Sequence, residues 1–404
     1  MKLWIETGAQ ARAQALFGLP PLERLRRSIA KLVSSEDVIL SGPVDGSPAW
    51  VGARRDVDTS ALGTRLRRAL GQGEALVAVD AANAIDPRLI RYLLDSGEDV
   101  VASRGEGTTR AVVLRLSPAQ AESIPPQAAN LCEVADALLA AGRIQPLDDT
   151  AFPAYVDKLR RFLPYWIYAV DDVPTRRRLE RRMFWDNYKG STDLLTRWVF
   201  PPLVWPLVRF CTRWRIHPNT VTVLSIVLAF AAVPLFARGD FLAGFICAYA
   251  MSVLDSVDGK VARVTLTDSK IGNLLDHGLD QVHPPFWYFA WAWGLGAHTP
   301  DAPLYQLAVW LIIFYVADRI VLGIARHRIG FALHAAGRLD ERARSFIARR
   351  NITMTIMALA LLSGAGAAGL YAVTAWQGLT LAWHSARTAW HGFLSPRRPR
   401  PEAR

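Results

Sequence analysis

The feature that most constrains this chain is a series of apolar segments that starts near residue 220 and continues almost to the end. A helix needs about 20 predominantly apolar residues to cross a bilayer, where its backbone satisfies its own hydrogen bonds. The sequence therefore predicts an α-helical membrane domain at residues 216–390. Its six predicted transmembrane helices are residues 220–237, 241–261, 273–296, 304–324, 352–366 and 368–386, of which the last two are short or interrupted by glycine.

The distribution of arginine predicts how these spans are oriented. The connections after spans one, three and five hold a single basic residue, Arg238, whereas the connection after span four and the tail at 391–404 are rich in arginine. Basic connections remain on the cytoplasmic side of a membrane. We therefore expect a multi-pass protein of the inner (cytoplasmic) membrane with both termini inside. The start of the chain also lacks the pattern of a signal peptide.

The first 150 residues have a different pattern, in which short apolar runs alternate with turns and helical stretches. This pattern predicts a soluble α/β domain at residues 1–150. Residues 151–215 are basic and indicate a helical linker, whose stretch at 198–214 suits a helix lying in the membrane interface. Three cysteines without paired spacing indicate neither disulfides nor a zinc site. Within the soluble domain we predict a helix at 21–33 and strands at 38–40, 75–79, 100–103 and 111–116.

The net charge of +11 raises the question of nucleic-acid binding. The arginines gather around the apolar segments, where membrane topology and anionic lipid headgroups account for them. No zinc finger, aromatic–basic repeat or glycine-rich RNA-binding loop accompanies them. We therefore expect membrane lipids as partners and no nucleic acid.

Four aspartates stand in the second and third predicted spans, although an ionised side chain at the bilayer centre costs about 2.5–3.5 kcal/mol. Asp255 and Asp258 are three residues apart and Asp276 and Asp280 four apart, so each pair projects from one face of its helix. Both pairs fall near the cytoplasmic ends of their spans and can face one another. Carboxylates are hard ligands that suit Mg²⁺ or Mn²⁺, and four of them can hold two ions.

The residues around these acids suit a nucleotide diphosphate. Gly259 and Ala262 leave one stretch of helix without bulky side chains, so a base or a diphosphate can approach its backbone. Arg263 can pair with a phosphate through two parallel hydrogen bonds. Two metal ions held a few Å apart suit displacement at phosphorus, because they stabilise the attacking and the leaving oxygens.

These features form one ordered run, Asp255-x-x-Asp258-Gly259-x-x-Ala262-Arg263, eight residues, Gly272-x-x-x-Asp276-x-x-x-Asp280. The run resembles the signature of the CDP-alcohol phosphotransferases (CDP-alcohol phosphatidyltransferases) at every defined position, including the gap. Upstream, the segment that contains Asn219 and Thr222 is similar to the start of the first span in this family. The resemblance covers roughly residues 185–390.

The resemblance implies a role for each residue of the run. It implies that Asp280 is the base that takes the proton of the alcohol, as well as a metal ligand. The implied reaction is attack of an alcohol on a CDP-linked donor with release of CMP, by a homodimer. The implied metal ligands are Asp255, Asp258, Asp276 and Asp280, and the implied nucleotide-binding residues are Gly259, Ala262, Arg263, Gly272, Asn219 and Thr222.

Other polar residues near the predicted site leave two interpretations open. Arg319, next to Asp318 in span four, either contacts the acceptor or belongs to a buried ion pair. Lys189, close to Asp193, either contacts a phosphorylated acceptor or lies in a surface turn. We expect His277 to have a packing role and His283 to mark a kink, in preference to metal ligation by either residue.

The soluble domain is similar to sugar-phosphate nucleotidyltransferases, which sometimes precede this membrane domain, on the strength of residues 17–25 and 84–90. Two parts of that family's pattern are missing. No glycine-rich, basic nucleotide loop stands near the start, and Ala81 and Ala82 occupy the place of a metal-binding aspartate, with Asp80 as a displaced substitute. We therefore predict a degenerate nucleotidyltransferase-like domain.

The leading functional hypothesis is a membrane transferase of phospholipid synthesis. In it, CDP-diacylglycerol is the donor and a polar alcohol, such as an inositol phosphate, is the acceptor. The reverse assignment, a CDP-linked polar alcohol and a lipid hydroxyl, fits the same residues. A divalent metal transporter is the alternative from another class, but it leaves Gly259, Ala262 and Arg263 without a purpose.

Overall fold

A computed structural model describes residues 1–8, 13–43, 50–105, 110–156, 159, 161–188, 192–267 and 270–394, and the side chains of residues 270–280 lie outside this description. The chain divides into two units, one of residues 1–188 with 264–266 and one of residues 189–263 with 267–404. The first unit is α/β and the second is helical, as the sequence predicts.

Strand side chains in the first unit alternate between two apolar clusters. Leu3 and Ile5 of β1 (Lys2–Glu6) belong to one apolar cluster and Trp4 to another, because successive side chains of a strand point to opposite faces. A sheet buried on both faces is typical of α/β folds. The next strands are β2 (Val38–Ser41), β3 (Arg54–Asp56), β4 (Leu76–Asp80), β5 (Asn83–Ile85), β6 (Val100–Arg104), β7 (Ala111–Leu116) and β8 (Gln145–Pro146). In the described residues seven strands form the main sheet, in the order β3-β2-β1-β4-β7-β6-β8, with β7 antiparallel to its neighbours.

Two pairs of helices complete the layers. α1 (Pro21–Ile29) and α3 (Pro87–Asp95) bury leucines and isoleucines in the cluster that contains Leu3. α2 (Leu62–Leu70) and α4 (Leu131–Ala140) do the same in the cluster that contains Trp4. The first unit thus has its core on both faces of one sheet.

The first unit extends to Tyr188, past the predicted limit at residue 150. One reason is β11 (Ile167–Ala169), which pairs antiparallel with β5. A second is α5 (Val173–Asp186), where Glu180 Oε1 accepts a hydrogen bond of 3.0 Å from the backbone N–H of Phe17. Two short strands, β9 (Tyr155–Val156) and β10 (Arg161–Phe162), precede β11 and pair antiparallel with each other.

The second unit consists of helices at the predicted positions. Their bounds are α6 (Phe200–Arg213), α7 (Pro218–Ala237), α8 (Phe241–Thr265), α9 (Lys270–Gly294), α10 (Pro303–Ile329), α11 (Arg338–Ala343), α12 (Arg350–Leu362) and α13 (Gly366–Ala389). Among the described residues, three of these helices are long and apolar enough to cross a membrane, namely α7, α8 and α10. α12 has 13 residues, which at about 1.5 Å per residue falls short of the bilayer core, so six spans are not confirmed.

Close contacts hold α9 against its neighbours. A Cβ atom at Gly294 would lie 2.0 Å from the carbonyl oxygen of Phe236, so glycine permits α7 and α9 to approach closely. Trp287 Nε1 of α9 donates to the carbonyl oxygen of Ala229 in α7 at 2.8 Å. Tyr315 Oη of α10 donates to the carbonyl oxygen of Gln281 in α9 at 3.1 Å. These contacts position the helix that carries Asp276 and Asp280.

Candidate active site

One face of α8 carries five of the predicted site residues. Their spacings of three and four residues in a continuous helix put them on the same side, at Asp255, Asp258, Gly259, Ala262 and Arg263. Asp258 is buried, with 3 % of its surface exposed, and the other four are partly exposed. The face therefore leads from a buried acid to more accessible groups.

Thr222 of α7 holds the buried acid. Its Oγ1 donates a hydrogen bond of 2.6 Å to Asp258 Oδ2, and both side chains are buried. The backbone N–H of Gly259 donates to the other carboxylate oxygen, Oδ1, at 2.5 Å. Asn219 lies one turn earlier in α7 and is partly exposed. The two upstream residues predicted to bind nucleotide thus stand on a helix that contacts α8 at Asp258.

Arg350, which the sequence reasoning missed, is the partner of Asp255. Its Nη2 donates to Asp255 Oδ2 at 2.6 Å, across 95 residues of sequence. The available signal was the polar run Arg349-Arg350-Asn351 at the start of an apolar helix, because a charge in such a place usually has a partner. The run does not reveal which acid that partner is.

Gly259 makes room for Arg263. A Cβ atom at Gly259 would lie 3.2 Å from Arg263 Nη1, so the guanidinium of Arg263 lies over the helix surface one turn back. A side chain at position 259 would require this flexible group to shift by a few tenths of an ångström. The small residue therefore gives the arginine slightly more room, in addition to the open surface predicted for it.

The second half of the predicted cluster falls in α9. Gly272, Asp276, His277 and Asp280 lie in that helix, but their side chains are outside the described part of the chain. Within the described residues no group of three or more potential ligands is gathered. The four-carboxylate arrangement therefore stays a prediction, with Asp255 and Asp258 as its described half.

The two described acids fit a divalent cation. Carboxylate oxygens are the ligands that Mg²⁺ and Mn²⁺ prefer. An ionised carboxylate offers about four lone-pair positions. Thr222 and Gly259 donate to Asp258, and Arg350 donates to Asp255. Such bonds to ligating carboxylates are typical of metal centres.

Arg319 belongs to a buried polar group. Its Nη2 lies 2.8 Å from Oδ2 of Asp318, which is fully buried. His384 Nδ1 of α13, which the sequence reasoning did not single out, lies 2.5 Å from the other carboxylate oxygen of Asp318. The guanidinium is about one third exposed, with its Cζ 5.1 Å from the ring centre of Tyr315. The buried ion pair, one of the two predicted interpretations of Arg319, is therefore present, and Asp318 orients the arginine.

Asp193 is an anchor in the second unit. Its carboxylate accepts hydrogen bonds from Thr196 and Asn351 and lies 3.3 Å from Arg349 Nη1. Burial acts to raise the pKa of Asp193, but Arg349 and these hydrogen bonds outweigh it and hold the pKa below its ordinary value. Lys189, predicted beside it, lies outside the described residues.

Burial affects two acids at the strand ends of the first unit. It raises the pKa of Asp80, and Asp171 acts in the same direction against a backbone hydrogen bond from Ala82. Burial likewise raises the pKa of Glu6, against the N–H of Gly8 and the charge of Arg65. Glu6 Oε2 lies 2.9 Å from Arg65 Nη2. The degenerate state of this unit stays a prediction from its sequence.

The comparison with known families identifies the helical part. Residues 215–385 match the family model of the CDP-alcohol phosphatidyltransferases. These residues form a CDP-alcohol phosphatidyltransferase domain. The domain includes α7 to α12 and most of α13. It therefore contains every described contact of Asp255 and Asp258 given above.

Two relatives represent different branches of phospholipid synthesis. The chain is 29 % identical over 182 residues to cholinephosphotransferase 1 of Rattus norvegicus, a match that covers 40 % of this chain and 44 % of the relative. It is 25 % identical over 159 residues to the phosphatidylinositol phosphate synthase of Mycobacterium tuberculosis, which covers 39 % of this chain and 72 % of that one. The chain thus spans less than half of the rat protein, and both relatives are transferases.

Solved structures give weaker likenesses. The Mycobacterium tuberculosis synthase with CDP-DAG bound has a TM-score of 0.37 at 21 % identity, covering 46 % of this chain and 92 % of that one. A protein described as a glucose-1-phosphate thymidylyltransferase from Bacillus anthracis has a TM-score of 0.31 at 10 % identity, covering 45 % and 94 %. Likenesses of this size add no argument to the family match, and the nucleotidyltransferase resemblance of the first unit rests on its sequence and α/β fold.

Proposed function

We propose that this chain is a metal-dependent transferase of phospholipid synthesis, in which an alcohol attacks the phosphorus of a CDP-linked donor and CMP is released. The observation that carries the proposal is the face of α8, where Asp255 and Asp258 stand in line with Gly259, Ala262 and Arg263 inside the family domain. Thr222 and Arg350 each donate a hydrogen bond to one of the two acids. This arrangement suits a metal-bound diphosphate.

Each residue of the run has a part in the proposed reaction. The residues that would hold two Mg²⁺ or Mn²⁺ ions are Asp255, Asp258, Asp276 and Asp280. When bound, such ions would neutralise charge on the phosphates and stabilise the attacking and leaving oxygens. Gly259, Ala262 and Gly272 line the cytidine pocket, with Asn219 and Thr222 at its edge, and Arg263 binds the diphosphate.

Asp280 acts as the base. It takes the proton of the acceptor hydroxyl, whose oxygen then forms a bond to the phosphorus of the donor. The bond between that phosphorus and the oxygen of CMP breaks, and CMP leaves with the electron pair. A carboxylate suits this role because its charge is retained at neutral pH in contact with a cation.

CDP-diacylglycerol is the proposed donor and a polar alcohol, such as an inositol phosphate, the acceptor. The guanidinium of Arg319 supports a phosphorylated acceptor, because it stays partly exposed while Asp318, which also contacts His384, orients it. Lys189 is a second proposed acceptor contact. The opposite assignment draws on the rat relative, whose name refers to transfer of choline phosphate.

The proposed setting is the cytoplasmic membrane. The three long apolar helices indicate a multi-pass protein. Six spans with both termini and the active site on the cytoplasmic side agree with the arginine-rich connections. We also propose a homodimer, as the family resemblance implies.

A direct test uses the purified full-length chain in nanodiscs with Mg²⁺ or Mn²⁺. Release of CMP from CDP-diacylglycerol is measured across a panel of polar alcohols, both phosphorylated and free, with Asp280→Asn as the control. We expect CMP release that depends on the acceptor and on the ion. No release above the Asp280→Asn level with any acceptor would contradict the proposed reaction.

A second set of incubations decides the direction of transfer. Radiolabelled CDP-linked polar alcohols are supplied with diacylglycerol, and the lipids are separated by chromatography. Label in the lipid fraction here, without CMP release from CDP-diacylglycerol, would establish the reverse assignment. The metal-transporter alternative gains no support from the relatives, and Mn²⁺ flux into liposomes without CMP chemistry would be needed to revive it.

A further inference from the structure

Arg350 meets the predicted metal ligand Asp255 at the start of α12. The two side chains are 16 % and 19 % exposed, and Arg350 Nη2 lies 2.6 Å from Asp255 Oδ2. A pair this far out of solvent is shielded from salt and held in a defined geometry. Arg350 is outside the aspartate run and has no assigned role in the proposed reaction.

The start of α12 is fixed on both sides of Arg350. Arg349 lies 3.3 Å from Asp193, and Asn351 Nδ2 donates to Asp193 Oδ1 at 3.2 Å. One turn later, Thr355 Oγ1 and Tyr249 Oη of α8 share a hydrogen bond of 3.0 Å. Arg350 therefore projects from an anchored turn, whose distance to α8 is set by other residues.

An anchored arginine can orient a carboxylate. A guanidinium donates in fixed directions, so its hydrogen bond to one oxygen restricts rotation of the carboxylate. Its charge also offsets part of the repulsion among closely placed acids before an ion binds. Groups that hydrogen-bond ligating carboxylates in this way typically change metal affinity by 10- to 100-fold when removed.

We infer that Arg350 is a positioning residue of the divalent-metal site, which holds Asp255 in the orientation needed to ligate the ion. The inference rests on the proposed function, because that function makes Asp255 a ligand. It predicts that loss of the guanidinium weakens ion binding. A guanidinium that merely competed with the ion for Asp255 would have the opposite effect.

The test is an Mn²⁺ titration of the metal-stripped full-length chain in nanodiscs, with free Mn²⁺ followed by electron paramagnetic resonance. For Arg350→Gln we expect the Kd for Mn²⁺ to rise about 10- to 100-fold, and for Arg350→Lys to rise less. The matched control is Arg342→Gln, an exposed arginine of α11 in the connection before α12, with a Kd close to that of the unaltered chain. An unchanged or lower Kd in Arg350→Gln would overturn the inference.

A double-mutant cycle guards against simple misfolding. If Arg350 acts through Asp255, adding Arg350→Gln to Asp255→Asn leaves the Kd of the Asp255→Asn chain unchanged. A further rise of the same size in the double variant would mean a general structural effect and would overturn the inference. Absence of saturable Mn²⁺ binding by the unaltered chain would instead refute the proposed function, so the two failures are distinguishable.

Discussion

At the scale of single residues, Thr222 shows how a small side chain supports a buried acid. Thr222→Val keeps the shape but removes the hydroxyl that donates to Asp258. A buried carboxylate oxygen that loses its hydrogen-bond donor is destabilised by about 1–3 kcal/mol. If Asp258 is less well held for the ion, the rate of CMP release at limiting Mn²⁺ should fall roughly 10-fold. The measurement is the initial rate against Mn²⁺ concentration. Thr220→Val, on the exposed side of the same turn, is the control, and equal rates in both variants would exclude this role.

Arg319 allows a second prediction at this scale. Arg319→Gln keeps a polar side chain but removes the charge proposed to bind a phosphorylated acceptor, so KM for that acceptor should rise about 10-fold or more while kcat changes little. Steady-state kinetics with the phosphorylated and free forms of one alcohol separate the two parameters. Arg326→Gln, an exposed arginine two turns further along α10, is the control. An equal change of KM for both forms of the alcohol would argue against phosphate recognition.

The residue scale also marks a limit of sequence reasoning. The spacing of Asp255, Asp258, Gly259 and Arg263 predicts a shared helix face, and α8 has one. The partner of Asp255 could not be predicted, because Arg350 lies 95 residues away. The connection before α12 contains many other basic residues, any of which could pair with an acid of α8. Spacing within one helix is a local property, whereas pairing between helices depends on how they pack.

At the scale of elements, apolar patterning located most of the structure. The predicted strands at 38–40, 75–79, 100–103 and 111–116 correspond to β2, β4, β6 and β7, because each is a short apolar run between turns. β11 was missed, since three residues have too little pattern, and it pairs with β5 over a long sequence distance. That pairing is what carries the first unit beyond residue 150.

The contact between Asp193 and α12 gives an element-scale prediction about pH. The folded-state pKa of Asp193 lies below that of an unfolded aspartate, about 3.9, so its stabilising effect is complete above that value and is lost as pH falls through the folded pKa. Asp193→Asn should therefore lower the Tm at pH 7, and the difference should shrink below about pH 4. Thermal unfolding in detergent measures it, with exposed Asp301→Asn as the control. A Tm difference that stays constant on acidification would contradict the prediction.

At the scale of the whole molecule, the arginine-rich connections predict six membrane crossings, whereas length and composition support three among the described helices. The difference consists of α9, α12 and α13, and α12 is the shortest of them. Its 13 residues cover only about 20 Å, whereas a bilayer core is about 30 Å thick. A short helix can still span if its flanking residues are drawn in or the bilayer thins locally.

Cysteine labelling of intact cells tests this topology. Cys132, Cys211 and Cys247 are first replaced by serine, and single cysteines are then introduced on exposed residues of the connections. With a membrane-impermeant maleimide we expect Asp240→Cys and Ser363→Cys to react before lysis, and Arg338→Cys to react only after it, because arginine-rich connections stay inside. Labelling at Asp240→Cys without labelling at Ser363→Cys would mean that α12 does not cross, and the site-bearing start of α12 would then belong to a helix lying wholly on the cytoplasmic side.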